Sequence, residues 1–240
     1  MEWQDEGVVL AARRHGDSSL IASLLTLAHG RCAGLVRGGA GRRARPVFQP
    51  GNRLRVTWRA RLAEHLGSFT AEQEAATGAG LLDDPLRLAA LSSTCALLET
   101  TLPERDPHPN LYGCLIELLD ILASSGQWSE AYVRFEVELL AELGFGLDLD
   151  VCAVTGQPTD LAYVSPRTGR AVSRAGAGRY APRLLPLPAF LIGAGPADRD
   201  QILQGLHLTG MFLRQHVYEP AERSMPVARE RLIARLGNPR

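Results

Sequence analysis

Arg53-Leu54-Arg55-Val56-Thr57-Trp58-Arg59 alternates polar with apolar side chains, and on a β-strand successive side chains leave opposite faces. The stretch predicts a strand with one face packed inward and the other displaying guanidinium groups. Around it lie further short apolar runs between glycine-bearing turns: Val8-Val9-Leu10, Leu20 to Leu27, Cys32 to Val36 and Leu66 to Thr70. Strands of this length at this spacing, between Gly7 and about Glu74, suit a small closed sheet.

The charge pattern of the same region is unusual. From Arg13 to Arg61 there are eleven arginines and one acid, Asp17, an excess of +11 − 1 = +10, although the whole chain has a formal net charge of zero. Every one of the 26 basic residues is arginine, which partly reflects coding bias, so the clustering carries more weight than the number. The densest part is Leu35-Val36-Arg37-Gly38-Gly39-Ala40-Gly41-Arg42-Arg43-Ala44-Arg45-Pro46. Glycines there leave room for close approach to a phosphodiester backbone, and the planar guanidinium donates bidentately to phosphate. Arg37, Arg42, Arg43, Arg45, Arg55, Arg59 and Arg61 are the candidate DNA contacts, with salt-sensitive, sequence-indifferent binding expected. A solvated basic face is the competing reading. Trp58 is either a core side chain or a stacking face for unpaired bases.

From Gly78 the composition turns to helix formers. Leu81 to Leu102 and Leu111 to Leu122 are dense in leucine and are separated by a breaker holding Pro103, Pro107 and Pro109. In the next segment Tyr132, Phe135, Leu139 and Leu143 share a stripe, with Glu136, Glu138 and Glu142 assigned to the wet side, Ser129 to the N-cap, and Gly144 or Gly146 to the end. Residues 147–181 are rich in glycine and proline and read as a loop or small ribbon between helices. A helix capped by Asp198 then places Ile202, Leu206, Leu213 and Val217 on one face, and a last helix is expected from Val227 to Leu236. The length of 240 residues favours two domains: a barrel over 1–77 and a helical domain over 78–240, interrupted at about 147–181.

Several chemistries are excluded by motif. No GxxxxGK[ST] or complete GxGxxG occurs, nor HExxH, paired CxxC or GxSxG, so no cofactor, no metal and no catalytic residue is expected. Cys32, Cys95, Cys114 and Cys152 are scattered and read as small buried side chains in a reducing compartment. The acidic start Glu2-Trp3-Gln4-Asp5-Glu6 is unlike a secretory leader, and no apolar run approaches a membrane span; a cytoplasmic, nucleoid-associated location is expected.

Beyond these patterns, Glu6-Gly7-Val8-Val9-Leu10, His15-Gly16-Asp17-Ser18-Ser19, Leu25-Thr26-Leu27-Ala28-His29-Gly30-Arg31, Val36-Arg37-Gly38-Gly39 and Arg45 to Asn52 resemble, in order, the bacterial recombination mediator family RecO in its alphaproteobacterial form. So do Trp58 to Leu62, Cys152-Ala153-Val154-Thr155-Gly156, Tyr163 to Pro166, Gly169 to Ser173 and Phe212 to His216. The resemblance implies an α+β multidomain architecture: an N-terminal five-stranded oligonucleotide-binding (OB-fold) barrel, then an all-α helical domain with a small zinc-ribbon-like insertion. Periodicity alone would allow another small barrel or a sandwich. It further implies a non-enzymatic role in DNA repair and recombination: binding single- and double-stranded DNA, annealing complementary strands and helping recombinase load. The implied partners are RecR and the tail of the single-stranded-DNA-binding protein. Some members hold zinc with four cysteines in the insertion; here only Cys152 remains of them and Thr155 stands at its pair position, so a metal-free insertion is expected. An acidic, apolar tail calls for an arginine on the helical domain, for which Arg134 and Arg214 are candidates. An adaptor whose basic barrel meets an acidic protein is the alternative function.

Overall fold

A computed structural model describes residues 1–62, 64–81, 83–124 and 126–238; Leu82, within the first expected helical stretch, lies outside them. The alternation that marked the arginine strand is realised. In β4 (Arg53–Arg59) Leu54, Val56 and Trp58 are buried and Arg55 and Arg59 exposed. With β1 (Glu2–His15), β2 (Ser19–Thr26), β3 (Gly30–Val36) and β5 (Ser68–Ala75) it forms a closed barrel in the order β1-β2-β3-β5-β4. Five strands in that order, with β3 and β5 joined in parallel at Leu35 and Ser68, make the OB-fold.

β1 extends far beyond the expected Val8-Val9-Leu10. Its first half pairs with β4, from Glu2 opposite Arg59 to Val8 opposite Arg53, and its second half pairs with β2, from Gly7 opposite Thr26 to His15 opposite Ser19. A bulge between Val9 and Ala11 gives the bend that one strand needs to serve both neighbours. Inside, Leu24, Leu54, Val56 and Phe69 pack with Trp58 and Phe48. Gly67 closes the β4–β5 connection at φ +68°, with its α-carbon so near the Trp58 ring that a Cβ would lie 2.3 Å from it.

α1 (Pro85–Thr101) starts at a cap in which Asp84 accepts from the Leu86 and Arg87 amides, with Pro85 in the first turn. It packs on β1, and Ser23 of β2 donates to Glu99. α2 (Pro109–Ala123) takes Pro109, the last proline of the breaker, into its first turn. By compactness the first unit is Met1–Gly126 with Pro226–Leu232; the barrel and its two covering helices fall together.

The second unit is Gln127–Met225 with the residues from Ile233 on. Its α3 (Trp128–Glu142) packs on α5 (Arg199–Leu213). Asp198 caps α5 as expected, accepting from the Gln201 amide, and a π turn over Arg214–Tyr218 continues it. Two expectations for α3 are corrected. Ser129 is not the cap: the helix begins two residues earlier than that cap would set, at Trp128, Gln127 occupies the cap position, and Ser129 falls inside the first turn. Glu136 is not on the wet side; it is fully buried, accepting hydrogen bonds from the hydroxyls of Tyr132, one turn earlier, and Thr209 on α5. Partner hydroxyls offset the desolvation that would otherwise keep a carboxylate out. Glu138 is exposed.

Between α3 and α5 stands a small antiparallel sheet, β6 (Leu161–Val164), β7 (Ala171–Ser173) and β8 (Leu185–Pro186) in the order β7-β6-β8, followed from β7 by a single helical turn, α4 (Arg174–Ala177). α6 (Val227–Gly237) is the last element among the described residues.

Candidate nucleic-acid interface

The glycine-rich arginine segment connects β3 to β4 and is a structured loop. Ala40 N–H donates to Ser18 O in the β1–β2 turn at 2.9 Å, and Arg45 N–H donates to Gly41 O at 3.0 Å. Phe48 is sunk into the barrel core. Asn52, 2% exposed, donates its side-chain amide to Pro46 O at 2.9 Å and Val47 O at 3.0 Å. The loop's return end is thereby moored while Arg37, Arg42, Arg43 and Arg45 stay exposed.

Distances sort the candidate arginines into two groups. Arg55 lies 2.8 Å from Glu74, and Arg59 2.8 Å from Glu2; that pairing lowers the Glu2 pKa and raises the Arg59 pKa, in each case chiefly through the shared hydrogen bond. Arg53 is bonded to Asp120, and Arg31 lies 3.5 Å from Glu104. By contrast, Arg37, Arg42, Arg43, Arg45 and Arg61 have no carboxylate partner among the described residues. The loop is therefore where uncompensated positive charge concentrates.

Beside it is a hollow of about 280 Å³ lined by Arg14 and Arg45, with Ala12, Leu20, Phe48 and Gln49 among its walls. Arg14 sits near the end of β1, its guanidinium bonded to Asp17 O at 3.2 Å. It was absent from the sequence-derived candidates. The signal was the length of β1: only a strand reaching His15 carries Arg14 to the rim beside the loop.

Trp58 is on the other face of its strand from Arg55 and Arg59. It is 3% exposed and its Nε1–H donates to Leu66 O at 3.1 Å. It helps wall a second, more apolar hollow of about 300 Å³ with Trp3, His29, Cys32 and Arg105. There His29 stacks on Trp3 at 4.0 Å between centroids, oriented by Asp5 at 2.8 Å from Nδ1. Burial raises the Cys32 pKa to about 11, so this thiol stays protonated at neutral pH.

On the second unit, Arg134 is engaged. It donates to Phe190 O at 2.9 Å, lies over the Phe190 ring at 5.6 Å and pairs with Glu130 at 3.5 Å. Arg214 is exposed and has no carboxylate partner among the described residues.

The insertion does not fit a zinc ion. Cys152 supplies one sulfur, and among the described residues no group of three or more His, Cys, Asp or Glu side chains is placed to hold a metal. Instead its Sγ accepts from the Val154, Thr155 and Ser173 amides and the Ser173 hydroxyl at 3.2–3.4 Å. Burial opposes charge on this sulfur, but the bonds from Ser173 and Thr155 outweigh it and bring the pKa down to about 6. Among the described residues no helix is long and apolar enough to cross a membrane.

Comparison with known proteins agrees with this architecture half by half. Residues 1–75 match the family model described as Recombination protein O N terminal, and residues 82–226 match Recombination protein O C terminal. The chain is 52% identical over 237 residues to the DNA repair protein RecO of Rhodospirillum centenum, covering 98% of this chain and 94% of that one. It is 54% identical over 233 residues to that of Cereibacter sphaeroides, with 97% of each covered, and 47% identical over 234 residues to that of Roseobacter denitrificans, again with 97% of each covered. Matched in order across barrel and helical region alike, the chain belongs to the RecO family of recombination proteins.

Proposed function

We propose that the protein serves in DNA repair, as its relatives' names say of them, by binding single- and double-stranded DNA through the β3–β4 loop of its barrel. The observation that carries this reading is the set of exposed, unpaired arginines on a moored loop, Arg37, Arg42, Arg43 and Arg45, with Arg14 across the adjoining hollow. Guanidinium groups with no internal carboxylate lose little by exchanging water for phosphate. Arg55 and Arg59 must first release Glu74 and Glu2 and contribute less. Neutralising phosphates on two strands lowers their repulsion and lets complementary strands anneal; no catalysis is involved. RecR and the single-stranded-DNA-binding protein's tail are the partners the family implies, with recombinase loading as the outcome. Of the two tail-binding candidates Arg214 is the one free to take a carboxylate.

The test is fluorescence anisotropy of a labelled single-stranded oligonucleotide across a salt series, wild type against Arg42→Ala/Arg43→Ala/Arg45→Ala. Losing three phosphate contacts makes the log–log salt slope shallower by about 2. Unchanged affinity and slope would remove the loop from the interface and favour a barrel that meets an acidic protein.

A further inference from the structure

We propose that the insertion of the second unit carries a polynucleotide site of its own, in which an unpaired base stacks on Tyr180 between phosphates held by Arg179 and Arg183. It goes beyond the barrel reading and stands or falls separately from it.

Residues 161–197 hold five arginines, Arg167, Arg170, Arg174, Arg179 and Arg183, and no acid. The carboxylates flanking that stretch occupy two of them: Asp148 lies 3.1 Å from Arg170 and Asp160 lies 3.2 Å from Arg174. Arg167, Arg179 and Arg183 are exposed and have no carboxylate partner among the described residues. Such an excess is not needed to hold the fold, because the segment is anchored by apolar contacts. Ala181 and Leu184 pack on a small core made by Cys152, Val172 and Ala177.

That anchoring decides what faces solvent. The segment Gly178–Arg183 is a 3-10 turn containing Pro182; with about three residues per turn, side chains three apart lie above one another. Tyr180 and Arg183 therefore share an edge, while Ala181 turns inward. Arg179 is fixed against Tyr180, its guanidinium bonded to the phenolic oxygen at 3.1 Å and its central carbon 5.2 Å from the ring centroid. Tyr180 is nonetheless 52% exposed. A large aromatic side chain held out of the core by a short, proline-stiffened turn, with guanidinium groups before and after it, has the parts of a single-strand platform: a π face for a base and cations for the phosphates beside it. An acidic peptide would use the cations and leave the ring idle, so the polynucleotide is the better fit.

The experiment uses the full chain and a fluorescein-labelled oligothymidine, with the matching duplex as a second probe. The variants are Tyr180→Ala, Tyr180→Phe, Arg179→Ala/Arg183→Ala, and the loop variant Arg42→Ala/Arg43→Ala/Arg45→Ala. All alter exposed side chains, and Tyr180→Phe keeps the ring. The expected result is about fivefold or more weakening by Tyr180→Ala on the single strand, little change with Tyr180→Phe, and a smaller effect of Tyr180→Ala on the duplex, whose bases cannot stack. The arginine pair should make the single-strand salt slope shallower by about 1.4. Wild-type binding by Tyr180→Ala and by the arginine pair, beside a loop variant that loses affinity, would overturn this site and leave the barrel reading standing. The reverse pattern would support this site and overturn the barrel reading. A labelled Asp- and Glu-rich peptide whose binding these variants abolish, while oligothymidine binding persists, would make the surface a protein dock and overturn the proposal.

Discussion

Asn52→Ala should loosen the arginine loop without touching an arginine. The side-chain amide of Asn52 bridges the carbonyls of Pro46 and Val47, and its main chain bonds to Val9 of β1 through Val9 N–H to Asn52 O at 3.0 Å. Removing the amide deletes two hydrogen bonds, each worth about 1 kcal/mol net, and leaves two carbonyls to find water. Part of the loss is returned, because the Asn52 Oδ1 is itself buried without a partner and its desolvation cost disappears with it. The Pro46 carbonyl belongs to an exposed residue and that of Val47 to a half-buried one, so their penalty is at the low end, and the sum is about 2 kcal/mol. Urea unfolding followed by hydrogen exchange at the Val47 and Asn52 amides measures it. DNA affinity should also fall, but with the wild-type salt slope, since every cation remains. A destabilisation below about 0.5 kcal/mol with unchanged exchange in the loop would refute the mooring.

The remaining expectations concern the core and one thiol. Gly67→Ala places a Cβ at positive φ against the Trp58 ring and should cost about 2 kcal/mol or more; tryptophan emission reports it, and a neutral effect would mean that the β4–β5 turn yields freely. Glu136→Ala deletes the acceptor shared by the Tyr132 and Thr209 hydroxyls and opens a void in the core, and should cost about 2–4 kcal/mol, with Glu136→Gln costing less because it keeps an acceptor; equal thermal shifts for the two would contradict the hydrogen-bond account. Cys152 has a folded pKa of about 6, below the ordinary thiol value, so between the two the unfolded chain binds the extra proton. The stability it confers is full above the ordinary thiol range and is lost as pH falls through about 6. The difference in urea midpoint between wild type and Cys152→Ser should therefore rise with pH, and a flat difference would show that the sulfur is not charged.

The strongest sequence signals were those written into neighbouring residues. β4 was legible because its alternation is unbroken over Arg53–Arg59. The first half of β1 was not: its inward positions are Trp3 and Asp5, and a carboxylate held by His29 sits where an apolar residue would have completed the pattern. Glu136 looked wet because its partner Thr209 lies 73 residues away, which no helical period can reveal. The same distance problem governs the arginines. Their clustering was plain, but which of them were already spent depended on Glu2, Glu74, Glu104 and Asp120, brought to them only by barrel closure and by the helices that cover it.

The double duty of β1 also has a consequence in time. Its first residue pair joins Glu2 to Arg59, and β5, which completes the sheet, ends at Ala75. At about 5–20 residues per second on the ribosome, the first half of β1 waits on the order of 3–11 s for β4, the neighbour it pairs with, whose last residue is Arg59. During that wait its hydrogen-bonding edge is open to any passing strand. Glu2, Asp5 and Glu6 make that edge a poor template for wrong pairing, as charge on an unprotected strand does. The acidic start that obscured the strand in the sequence thus acts as a guard on the nascent chain until the barrel closes.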